Sequence, residues 1–256
     1  MKKITILLTV LVITLTLYAE RLNEVSAPTA GVLKKGEAKI INKIYKDNGM
    51  IIGAQVGLFD NFMFGFTYGG EDIVGDKKPT WHKNVEFSAK FRIIDETEKV
   101  PAIAIGYDSQ GHGTYYNELN RYEIKSKGFY LVASKNYKML GLVGFDLGIN
   151  QTLERDDKDK DLNLFAGIYK TIGNNLTVMA DYDLAKNDNA KDEYHGIDKG
   201  YLNAGVELTI NEHLSLKFIT HDLLENRPHA ESFNRSIQIN YRWSFWRRLW
   251  NALILQ

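Results

Sequence analysis

The chain has 256 residues, with 32 basic and 32 acidic side chains, a formal net charge of zero and no cysteine. Balanced charge removes the basic excess that a nucleic-acid partner calls for, and the missing cysteine excludes disulfides, thiolate metal sites and a lipid-bearing cysteine. Fourteen Tyr, 12 Phe and 21 Gly against 4 Pro lean the composition towards β-structure, because aromatics favour strands and Gly marks bends or close backbone approach.

The chain opens MKKITILLTVLVITLTLYAE. Lys2 and Lys3 precede an apolar run from Ile4 to Tyr18, and Ala19 is a plausible cleavage residue, so residues 1–19 read as a secretory signal peptide. Residues 20–36 are expected to form an N-terminal periplasmic segment. No later stretch approaches the ~18 consecutive apolar residues that a membrane helix needs.

From Glu37 onward the pattern has a period of two. In NVEFSAKFRII, Val85, Phe87, Ala89, Phe91 and Ile93 oppose Glu86, Ser88, Lys90 and Arg92. The same split recurs in NLTVMADYDLA and RSIQINYRWSF. Successive strand side chains point to opposite faces, so each segment is a strand with one apolar and one polar side. Twelve such segments lie near 37–46, 50–59, 62–70, 84–95, 100–108, 128–136, 140–150, 161–171, 174–185, 200–210, 213–222 and 234–245. Short connections alternate with long polar ones at 71–83, 109–127, 151–160, 186–199 and 223–233. Even strand number with that rhythm predicts an all-β fold: a transmembrane antiparallel up-and-down β-barrel of about twelve strands over residues 37–245. A soluble sandwich or lipocalin also alternates. Against it stand Gly53, Gly57, Gly65 and Gly69 on the polar faces, and aromatics at strand ends (Tyr45, Phe59, Phe62, Tyr107, Tyr137, Tyr169, Tyr201) where interfacial girdles would sit. The closing WRRLWNALILQ, residues 246–256, has the spacing of a short amphipathic helix. It would place Trp246 and Trp250 at the membrane interface beside Trp243 and Phe245.

Taking the polar faces as inward predicts a lumen containing Lys39, Lys43, Lys90, Arg92, Lys217 and Arg242 against Glu37, Glu86, Asp108, Asp146, Asp181, Asp183 and Glu207. The signs nearly balance, so the charges can pair across a narrow or occluded lumen, and no basic ladder for acidic sugars is evident.

Candidate chemistry is sparse. Asp157, Asp159 and Asp161 have the spacing of a calcium-loop start, but Leu162 and Ile168 stand where that loop needs Gly and a bidentate acid. The run is expected to be a solvated outer loop, with no metal site and no cofactor. The six histidines show no ligand spacing. Asp181 and Asp183 with His221 are the only groups suggesting an acid–base pair, and no nucleophile elbow is present. No catalytic residue is assigned. The loop Ser109–Lys127 is the best functional element: Tyr115, Tyr116, Arg121 and Tyr122 have the rings and hydrogen-bonding groups for glycan contact. An ordinary outer loop, or one folded inward as a plug, fits equally.

The stretches SAPTAGVLKKGE, FRIIDETEKVPAIAIGYDSQGHGTYY and KGFYLVASK, in that order, resemble the YjbH-type outer-membrane proteins associated with bacterial exopolysaccharide production. The resemblance runs over roughly residues 24–150. It implies an outer-membrane barrel acting as a non-catalytic accessory in polysaccharide export or surface assembly. Members of that family are longer and can be lipoproteins, so this chain looks like a one-barrel version. The alternative is a small diffusion channel for oligosaccharides or other small solutes, and a third reading is an outer-membrane hydrolase. The expected partners are outer-membrane lipid and lipopolysaccharide, the barrel-assembly machinery, and polysaccharide with its export components.

Overall fold

The computed structural model describes residues 21–190, 194–227 and 234–245. The expected signal peptide (residues 1–19) and the expected amphipathic tail with Trp246 and Trp250 lie outside the described residues. The strands in chain order are β1 (Glu37–Tyr45), β2 (Gly49–Phe59), β3 (Phe62–Glu71), β4 (Thr80–Trp81), β5 (Glu86–Ile94), β6 (Ala102–Asp108), β7 (His112–Tyr116), β8 (Arg121–Ile124), β9 (Gly128–Lys138), β10 (Leu142–Gln151), β11 (Asn163–Ile172), β12 (Leu176–Asp183), β13 (Tyr201–Thr209), β14 (Leu214–His221) and β15 (Asn234–Ser244).

Twelve of these form one closed antiparallel wall. Each pairs with its neighbours in chain order, and β1 pairs with β15 from Glu37↔Ser244 to Ile44↔Ile237, so the wall has no free edge. The short β4 extends the far end of β3, and β7–β8 form a separate hairpin. Five turns lie at the end of the barrel carrying Glu37 and Ser244, called here the turn end. The long connections lie at the opposite, loop end. The first loop-end connection is itself tight: Asp47 and Asn48 both take positive φ (57° and 52°), a conformation that Asp and Asn tolerate.

Side-chain parity divides the wall cleanly. Ile52, Phe64, Phe87, Ile105, Leu131, Leu147, Ile168, Phe218 and Ile239 are exposed on the outer surface. Charged residues on that surface sit only near its rims. Lys135 and Lys170 bend to the turn-end carbonyls of Thr97 and of Met139 and Leu140, and Arg235 lies at the loop end. A continuous apolar exterior on a closed barrel is a surface for lipid, because all backbone polar groups are already paired within the wall. At the turn end, Tyr241, Trp243 and Phe245 form an aromatic column with ring centroids 5.7 Å and 5.6 Å apart.

The expected girdle is thinner than its sequence signal. Phe59 and Tyr137 are exposed outward, whereas Tyr45, Tyr169 and Tyr201 are buried on the inward parity. Position near a strand end does not decide the face; parity does. Tyr45 shares its parity with Lys39 and Lys43.

This division yields a test. Leu147, 63% exposed near the middle of β10, is expected to face hydrocarbon. Leu147→Arg should lower folding stability in lipid vesicles by about 2–4 kcal/mol, read from denaturant titrations, while leaving a soluble β-protein nearly unaffected.

Candidate functional site

The inward parity brings together all thirteen charged residues assigned to the lumen from the sequence. Most meet a partner. Arg242 donates to Glu37 (2.6 Å), Arg92 forms an ion pair with Asp95 (2.7 Å) and Lys43 contacts His112 (3.2 Å). Glu86 accepts from the Tyr122 hydroxyl (3.1 Å) and Asp108 from the Gln110 N–H (3.0 Å). Asp183 pairs with Lys127 and accepts from Asn163 (2.6 Å), while Asp146 accepts from Ser134. Lys39 lines a cavity at the turn end.

Lys90, Asp181, Lys217 and Glu207 find their partners elsewhere, on the chain's own N-terminal residues. Residues 21–33 enter the barrel as a hairpin and do not lie beyond its rim, which corrects the expected periplasmic placement of this part of the 20–36 segment. Thr29 N–H donates to the Leu22 carbonyl (3.1 Å) and Glu24 N–H to the Ala27 carbonyl (2.9 Å), so the turn at 24–27 is the deepest point. The Asp181 carboxylate receives the N–H groups of Val25, Ser26 and Ala27 at 3.0, 2.6 and 2.8 Å. Lys90 donates to the carbonyls of Leu22, Thr29 and Gly31, and Lys217 to that of Glu24. Arg21 forms an ion pair with Glu207 at 2.8 Å.

Apolar side chains of the hairpin fill the remaining space in three clusters. Ala27 and Ala30 pack with Ala102, Ala104, Tyr130, Val132 and Phe165. Leu22, Val32 and Leu33 pack with Met63, and Val25 packs with Tyr169, Met179 and Ile219. Two inward glycines make the room. A Cβ on Gly57 would collide with the carbonyls of Leu33 and Lys34, and one on Gly167 would lie 3.0 Å from the Glu24 side chain. Peptide amides for the wall's charged groups and apolar side chains for the gaps suit this narrow bore, which explains why the 21–33 segment is drawn inside. Below the hairpin, towards the turn end, a cavity of about 620 Å³ opens between Arg21, Lys39, Arg92, Glu207 and Arg242.

The loop end is closed differently. The β7–β8 hairpin crosses the mouth: its His112 reaches Lys43 on β1 and stacks on His221 of β14, with ring centroids 3.8 Å apart. Arg121 is fully buried and donates to Asp157 (2.7 Å) and Asp188 (2.8 Å). Lys125 and His195 also meet Asp157, at 2.6 and 3.1 Å. The acidic run thus differs from a solvated loop. Asp157 anchors the cap, because a buried guanidinium and ammonium need carboxylates beside them. Among the described residues no cluster of three His, Asp or Glu is arranged to hold a metal.

The four tyrosine and arginine residues expected to contact glycan form no open surface. Tyr122 is 1% exposed and packs edge-on against Tyr115, Arg121 is spent on its carboxylates, and Tyr116 packs on Tyr194 and Arg227. The acid–base candidates are also apart: Asp181 holds the hairpin, Asp183 pairs with Lys127, and His221 contacts Ser236 (3.2 Å).

Two cap carboxyls respond oppositely to their surroundings. Burial would raise the Asp157 carboxyl, but His195, Lys125 and Arg121 outweigh it and hold it below its ordinary value near 3.8. Burial raises Glu154 to about 7, only partly opposed by the Ser126 and Tyr122 N–H groups. Asp157 therefore stabilises the closed cap above its ordinary value and loses that effect as pH falls. Glu154 favours the closed cap when protonated and weakens it as pH rises through about 7. Exchange of the Tyr122 and Ser126 amides, corrected for intrinsic rates, should be slowest near pH 4, between the ordinary values of the two carboxyls, and faster both as pH rises from there through about 7 and as it falls below about 3.8.

No family model and no curated protein matches this chain. Among solved structures, the KdgM porin matches with a TM-score of 0.50 over 82% of this chain and 99% of that one, at 10% identity. A KdgM porin in complex with disordered oligogalacturonate gives the same values. The NanC porin matches with a TM-score of 0.47 over 81% of this chain and 98% of that one, at 8% identity. At such identity the likeness is one of fold.

Proposed function

We propose that this protein is an outer-membrane channel for small hydrophilic solutes, held closed in the conformation described. The observation that carries this reading is a closed twelve-strand barrel with a lipid-facing exterior and charged or polar residues on the inward face of its strands. A wall built only as a scaffold has no need of such an interior, since burying charge is costly unless each group is paired. The fold likeness to the KdgM porin supports the same reading. Nothing in the comparisons bears on an exopolysaccharide accessory role, so the channel is preferred over the role that the YjbH-type resemblance implies. In this reading the turn end faces the periplasm and the long loops face outward, the usual arrangement of bacterial barrels. Mixed lumen charge favours neutral or weakly charged solutes over strongly anionic ones.

Planar-bilayer recording of refolded protein is the test, after a heat-dependent gel shift has shown that the barrel is folded. The expected outcome is brief, salt-dependent current steps that small oligosaccharides interrupt. Asp157→Ala combined with deletion of residues 21–33 should lengthen the openings by releasing both the cap and the hairpin. A folded barrel that stays silent in both forms would sink the channel reading.

A further inference from the structure

The wall of the barrel is complete without the N-terminal hairpin. Every wall strand is bonded to two neighbours, and residues 21–33 add no strand to the sheet. The polar contacts that hold the hairpin at mid-lumen are mostly to its main chain, beside the Arg21–Glu207 ion pair, the Ser26 hydroxyl on Asp181 and the three apolar clusters. Asp181 takes three consecutive N–H groups, Lys90 directs its ammonium at three carbonyls at 2.7, 2.9 and 3.1 Å, and Lys217 takes a fourth at 2.8 Å. The Ser134 hydroxyl accepts the Ala30 N–H at 2.7 Å. An ammonium has three donors, and those of Lys90 are matched by three peptide oxygens. A carboxylate seated on successive N–H groups is the arrangement of an anion in a backbone nest. Such contacts are offered by any peptide that turns at this level and carries side chains small enough for the bore, as Ala27, Ala30 and Gly31 are.

We propose that the ring of Asp181, Lys90 and Lys217 is a peptide-binding site that takes a turn-forming segment of small and aliphatic residues, with its polar contacts made chiefly to the main chain. Residues 21–33 occupy it in cis and exchangeably. The hairpin reaches the turn end at both of its limits, through Arg21 beside Glu207 and through Gly36, whose N–H bonds the Gly57 carbonyl. It can therefore leave without threading, into the 620 Å³ cavity beneath it. The ring it vacates is charged and can be hydrated. A peptide arriving from the turn end meets the same groups. This site stands apart from the channel reading, and its test reads binding and not current.

The probe is a fluorescein-labelled synthetic peptide of residues 21–33, followed by anisotropy. Refolded barrel lacking residues 21–33 is expected to bind it saturably. Asp181→Ala in that background should weaken binding about tenfold or more, because charge-assisted bonds to three amides are lost. A folded deletion barrel that binds no peptide, or binds it equally well with Asp181→Ala, overturns the proposal. The second measurement uses the full chain, which has no native cysteine, carrying Ser26→Cys and Asn203→Cys. Those side chains are in contact, with Asn203 Nδ2 3.0 Å from Ser26 Oγ. The reduced protein should take up labelled peptide slowly, at the rate its own hairpin leaves, and the oxidised protein should take up none. Equal uptake by both forms, or none by the reduced form, overturns exchange whether or not the deletion barrel folds.

Discussion

The pairing of β1 with β15 leaves the wall without an unbonded edge, and in hydrocarbon that condition decides whether a sheet can exist at all. Once the sheet is closed, each strand has only two choices of face, and the period-two pattern fixes them together. Apolar residues go to lipid, and the charged set is committed to a bore that twelve strands make narrow. The interior must then supply partners. At mid-height it does so with neutral peptide groups of the N-terminal hairpin, which satisfy Lys90, Asp181 and Lys217.

The lumen is thus closed at two levels by different chemistry. At the loop end, the cap rests on full charges: Arg121 and Lys125 against Asp157 and Asp188. In the middle, barrel charges meet amide dipoles, reinforced by small apolar clusters around Val25, Ala30 and Leu33. Closing a passage twice by unlike means allows each closure to answer to its own conditions. The cap rests on the titrating carboxyls Asp157 and Glu154, whereas the hairpin is held chiefly by its peptide groups on Asp181, Lys90 and Lys217 and by the Arg21–Glu207 pair.

Strand number, wall boundaries and lumen parity are legible in the sequence because a period of two survives in every segment, and a slip of one residue would expose Lys90 or Asp181 to lipid. The girdle was read too broadly, since a tyrosine at a strand end carries no mark of its face until its parity is counted against Lys39 or Asp183. The inward hairpin was missed for a different reason. Its anchors are main-chain groups, which every residue has, so no side-chain motif announces them. The usable signal lay on the wall: Gly57 and Gly167 at inward positions leave space that something must fill. The cap was equally hard to see, because Arg121 and Asp157 are joined only when two loops meet over the mouth.

The connection between Arg242 and Glu37 spans 205 positions of the chain, so β1 must wait for almost the whole polypeptide before its open side is bonded. Contacts of such separation form late, since a large loop must be closed before they repay its entropy. The bore, and with it the seat made by Asp181 and Lys217, exists only after that event. The finished bore therefore needs both ends of the described chain: its back closes the wall against β1, and its front supplies the peptide groups that meet Lys90, Asp181 and Lys217.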